Sequence, residues 1–177
     1  MQARIAQLLR VIGVCALSCT LLSSPATGQA MAVPLQLQAA ILQKIFSYDR
    51  NLEGRRPKVL IVAADPSDVQ VAEFKATLTR LGSTVTATTQ AGLPAQAQGV
   101  SVVYIMPGQL TDLLSRTCTQ QGILSVSGVP AWAEQGRVSV AIGFAAGKAE
   151  IIVSLKRSKA ERHDLSSRLL RLARVIP

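Results

Sequence analysis

The chain holds one histidine, His163, in the basic run KRSKAERHD. A Ser/His/Asp or Cys/His centre needs a base oriented beside a nucleophile. Asp164 follows His163 directly, and adjacent positions on a helix do not face one another. The run therefore predicts a solvated surface histidine. Cys118 is the only cysteine after residue 30, so no disulfide can close within that part of the chain. A small buried apolar role is expected for it. His163 and Cys118 lie 45 positions apart, which gives no metal-ligand spacing. Glu134 and Glu150 are carboxylates that could share acid–base work. Arg137 and Lys148 stand close to them in sequence, so salt-bridged surface roles are expected.

Asp65-Pro66-Ser67-Asp68 follows a buried apolar run, where an α/β protein would hold a nucleotide. It carries neither G-x-G-x-x-G nor G-K-[ST], and its acids repel phosphate where a helix N-terminus would attract it. The residues predict a turn and an N-cap. A response-regulator-like acidic pocket would need further acids for a metal. No catalytic group, cofactor or metal is expected, and an enzyme is the weakest reading.

Binding features are clearer. Lys148 to Arg174 holds eight Lys/Arg against three acids. Leu165, Leu169, Leu172 and Ile176 recur at steps of four, three and four, which predicts one amphipathic C-terminal helix. Arg168, Arg171 and Arg174 fall beside that stripe as a basic rim. The rim reads either as a solvated face or as a docking surface for an acidic partner or lipid headgroups. Trp132 follows Gly128-Val129-Pro130 in a loop. It could be an exposed partner anchor or a lid over the core.

The elements that must position these residues alternate. Residues 35–50 predict a helix with Leu35, Ala39, Leu42, Ile45 and Phe46 on one face. KVLIVAA (58–64) reads as a strand buried on both faces. A helix follows to about Leu81, with Val71, Phe74, Leu78 and Leu81 inward and Gly82 stopping it. Residues 83–89 form a half-exposed strand, 90–99 a loop, 100–106 a second buried strand, 109–120 a helix and 122–126 a short strand. A hairpin is expected from Val138–Phe144 and Ala149–Leu155 around Gly147-Lys148, adding an antiparallel edge. This order predicts a single α/β domain: a mixed, mostly parallel central sheet with helices on both faces and a C-terminal β-hairpin plus helix.

Residues 1–30 read as a secretory signal peptide. Arg4 and Arg10 charge its start, Val11–Leu22 is its apolar stretch, and cleavage is expected near Ala30. The domain then occupies 31–177. Removing Arg4 and Arg10 from the 19 Lys/Arg leaves 17 against 10 acids, a net charge of +7. Such charge fits nucleic acid, anionic lipid or an acidic protein. Export and an aromatic content of 3% argue against nucleic acid.

The closing run GRVSVAIGF, then AEIIVSLKRSK, then LSSRLLRLA resembles the end of the YfiR family. The helix at Leu37–Tyr48 leading to the strand at Lys58, and Ile123-Leu124-Ser125-Val126 before the hairpin, resemble the rest of it. The similarity spans about Leu35 to Val175 and is most specific at Leu165–Ala173. It implies a periplasmic α/β protein, often dimeric, without enzymatic activity. It further implies a protein that binds the periplasmic part of an inner-membrane diguanylate cyclase and holds it inactive. Cyclic-di-GMP and biofilm formation would fall, and an outer-membrane-associated partner could release the cyclase. The alternative class is a periplasmic small-ligand-binding or sensor module, using a cleft at the carboxyl ends of Leu60–Ala63 and Val102–Ile105.

Overall fold

Among the described residues, seven strands form one sheet: β1 (Lys58–Val62), β2 (Thr84–Thr88), β3 (Val102–Ile105), β4 (Leu124–Ser127), β5 (Val140–Ala145), β6 (Lys148–Ser154) and β7 (Arg174–Ile176). Their order is β2-β1-β3-β4-β5-β6-β7. The computed structural model describes residues 33–177, so the expected signal segment and its cleavage point lie outside the described residues. β1 to β5 run parallel to one another, β6 is antiparallel to β5, and β7 runs parallel to β6. The expected mixed, mostly parallel sheet is present.

β-Branched residues dominate β1 and β3, and their alternation assigns each side chain to a layer. Val59 and Ile61 share one core with Leu42 of α1 (Leu35–Phe46) and with Phe74 and Leu78 of α2 (Val69–Arg80). Leu60 and Val62 share the other core with Leu93 of α3 (Leu93–Gln96) and with Leu114 and Cys118 of α4 (Asp112–Gln121). The larger of these side chains contribute roughly 1.5–3 kcal/mol each on burial. Asp68 caps α2, as expected, by accepting from Gln70 N, but Leu81, expected inward, is the C-cap residue past the last helical turn and is exposed. Gly122 ends α4 at φ 67°, a left-handed position that glycine reaches without a Cβ penalty.

The C-terminal region departs from expectation in three respects. The hairpin loop is Ala146-Gly147, one position earlier, with both residues at positive φ, as a two-residue type I′ loop requires. β6 is not the edge, because β7 pairs along it through Ile152–Ser154. The single amphipathic helix does not form. α6 (Leu155–Ala160) is followed by Arg162 at φ 60°, which turns the chain out of the helix. α7 (Ser167–Leu170) starts afresh with Ser166 as its cap. Ser and Asp satisfy backbone groups locally and so start and stop helices. Ser166, whose hydroxyl accepts from Leu169 N, and the turn at Arg162 therefore override the leucine periodicity. Leu165 and Leu169 are buried, whereas Leu172 is 57% exposed and Ile176 lies in β7.

Candidate functional site

Strand order reverses between β1, which leads out to β2, and β3, which leads toward β4. The carboxyl ends of β1 and β3 are therefore a topological switch point, where loops diverge and leave a crevice. A cleft of about 400 Å³ opens beside it. Val33, Pro34, Leu35, Met106 and Pro107 give it apolar walls, with Gln36, Gln38, Gln70, Glu73, Tyr104 and Gly128 between them. A second cleft of about 260 Å³ shares Gln70, Met106 and Pro107 and adds Ala63, Ala64, Asp65, Asp68 and Val71.

The floor of the first cleft is a buried polar chain. Tyr104 on β3 donates its hydroxyl to Gln38 Oε1 at 2.6 Å, and Gln38 Nε2 donates to the Val33 carbonyl at 2.7 Å. Burial pushes the Tyr104 phenol pKa well up, so the hydroxyl stays a donor. Phe74 fixes its ring from below, with centroids 4.6 Å apart. Gly128, just after β4, closes the floor. A Cβ there would stand 2.9 Å from Gln38 Oε1 and 3.1 Å from the Tyr104 hydroxyl. Asp65 and Asp68 do what the sequence predicts, with Asp65 Oδ1 accepting from Ser67 N and Asp68 Oδ1 from Gln70 N.

The charged residues of the C-terminal half are arranged differently. His163 is buried, not solvated. Its Nδ1 donates to Asp49 Oδ2 at 2.5 Å, and Nε2 lies 3.3 Å from the Gly122 carbonyl. Asp49 also accepts from Asn51 N at 2.9 Å. The short stretch between α6 and α7 is thereby clamped to the end of α1, reinforced by the Arg50–Asp164 pair at 2.9 Å. Glu161 is fully buried. It accepts from Ser125 N, Ser125 Oγ, Ser139 Oγ and Arg157 Nε at 2.5–2.8 Å. Cys118 is buried as expected; burial, then the charge of Glu161, pushes its thiol pKa well up.

The basic rim does not lie on one helix. Arg174 on β7 pairs with Glu134 at 2.5 Å and Glu150 at 3.2 Å, replacing the expected Arg137 and Lys148. Arg137 instead faces Asp112 at 3.5 Å. Arg168 on α7 and Arg171 at its end are exposed and, among the described residues, meet no carboxylate within salt-bridge distance. Arg168 lines a depression of about 260 Å³ with Ser47, Tyr48, Arg50, Glu53 and Ser166. Trp132 sits on α5 (Pro130–Glu134), half-buried against the second core. Among the described residues, no group of three or more His, Cys, Asp or Glu could hold a metal.

Sequence reasoning missed Glu161, the Asp49–His163 pair and the Gln38–Tyr104 floor. Two signals were present: Arg157 and Glu161 stand at i,i+4, and Gln38 interrupts the apolar face of α1.

The chain matches the YfiR/HmsC-like family over residues 35–174 and belongs to it. No curated protein matches the chain. Among solved structures, the chain is similar to an "ABC domain" from Streptococcus pneumonia in complex with L-Trp. The TM-score is 0.62 at 13% identity, over 81% of this chain and 60% of that one. The chain thus spans about three fifths of that structure, and at this identity the likeness concerns the fold alone.

Proposed function

We propose that the protein is a periplasmic, non-enzymatic regulator that binds the periplasmic region of an inner-membrane diguanylate cyclase and represses it. Membership of the YfiR/HmsC-like family across residues 35–174 carries this reading. Repression of this kind is a population shift: the regulator must bind the inactive cyclase more tightly than the active one. Shifting a two-state cyclase from 99% active to 99% inactive needs a preference of about 10⁴. Arg168 and Arg171 are the candidate docking charges, because their guanidinium groups are exposed and unpaired among the described residues. Arg174 is a weaker candidate, since two glutamates already neutralise it. Trp132 would contribute only its half-exposed edge. A homodimer and a releasing partner from the outer membrane belong to the same scheme.

Co-purification from detergent-solubilised membranes tests it. The tagged protein is expected to retain a membrane cyclase, and Arg168→Glu with Arg171→Glu to release it. Recovery of no membrane signalling protein would overturn the reading. A second reading, a small-ligand module, is favoured by the cleft at the carboxyl ends of β1 and β3. Ligand binding there is compatible with regulation.

A further inference from the structure

Lys and Arg outnumber acids by 19 to 10 along the chain, yet among the described residues no Lys or Arg lines either cleft at the switch point. The charges present there are Glu73, Asp65 and Asp68, all carboxylates. Such an inversion of the molecule's charge is a property of the site. Carboxylates on low-dielectric walls concentrate cations and repel anions. The other polar groups are neutral: the Gln36 and Gln70 amides and the closed Tyr104–Gln38 floor.

We propose, resting on the small-ligand reading, that the 400 Å³ cleft binds a small molecule with an apolar body and one cationic amine. The volume lies within the range of small-molecule sites, and mostly apolar walls with few polar groups are their usual form. The body lies against Val33, Leu35, Met106 and Pro107. The ammonium faces Glu73, whose Oε2 has one protein donor, the long 3.4 Å contact from Gln36 Nε2. That carboxylate keeps acceptor capacity for a further donor. Asp65 and Asp68 each have one oxygen engaged by the backbone, so they supply field more than contact. Anionic ligands, nucleotides and phosphates included, are excluded on charge.

The test uses three isosteres: cyclohexylmethylamine, cyclohexylmethanol and cyclohexanecarboxylate. Each is titrated into the folded protein while the side-chain amide resonances of Gln36, Gln38 and Gln70 are followed by NMR. The amine is expected to bind at least about tenfold more tightly than the alcohol, a difference of about 1.4 kcal/mol. The carboxylate should bind more weakly than both. Glu73→Gln should bring the amine level with the alcohol without unfolding the protein, since Glu73 is exposed. Gly128→Ala should weaken amine and alcohol alike by displacing Gln38. Equal or tighter carboxylate binding, or an amine preference that survives Glu73→Gln, overturns the assignment of ligand class. Failure of all three probes to move the cleft resonances overturns the small-ligand reading itself and the assignment with it.

Discussion

The cleft at the carboxyl ends of β1 and β3 and the region around α6 and α7 make opposite use of polar residues. Around α6 and α7 the polar groups are spent on one another. Glu161 accepts four hydrogen bonds, Asp49 and His163 pair in the interior, and Arg174 bridges two glutamates. The cleft has the fewer charges, but Glu73 makes only one long contact, with Gln36, and the Gln70 amide has no side-chain partner among the described residues. Charge density along the sequence therefore marks where the fold is held, and unspent hydrogen-bonding capacity marks where a ligand can enter. Arg168 and Arg171 combine both traits, being charged and, among the described residues, unpaired, as are Lys156 and Lys159 on α6.

Removing a buried acceptor should have the largest effect. Glu161→Ala strands Arg157 and two serines and should cost about 3–5 kcal/mol, read as a lowered urea midpoint. Glu73→Ala at the cleft rim should change stability by less than about 0.5 kcal/mol. Equal losses would erase the contrast between the two regions. Next, Leu169→Ala should cost about 2–5 kcal/mol, because the side chain is fully buried. Leu172→Ala should stay within about 0.5 kcal/mol. Similar losses at both would restore the single amphipathic helix. Tyr104→Phe should cost about 1–2 kcal/mol by leaving Gln38 Oε1 without its donor. Smallest of all, Arg174→Ala should cost no more than about 1 kcal/mol, and 1 M salt should remove most of that.

The parallel sheet was legible because KVLIV and VVYI are continuous apolar runs and Asp68 is a recognisable cap. The closing region was legible in composition but not in geometry. A step of four, three and four between leucines fits a helix, yet Arg162 at positive φ and the Ser166 cap interrupt it. Local turn chemistry outweighed hydrophobic period there. His163 was misjudged because its partner, Asp49, lies 114 positions away, and sequence adjacency pointed to Asp164 instead. The cleft position follows from strand order, which the alternation implied. Its lining does not: Val33, Glu73 and Gly128 meet only once α1, α2 and the end of β4 are in place. The placement of three arginines on one helix was illegible for the same reason, since Arg174 is drawn into β7 and toward two acids remote in sequence.

The central claim is repression of a membrane diguanylate cyclase by contact. Intracellular cyclic-di-GMP, measured in a strain lacking this chain and in the same strain complemented with it, tests that claim most directly. A rise on deletion, reversed by the wild-type chain but not by Arg168→Glu with Arg171→Glu, is the predicted result. An unchanged or lower level on deletion would contradict it.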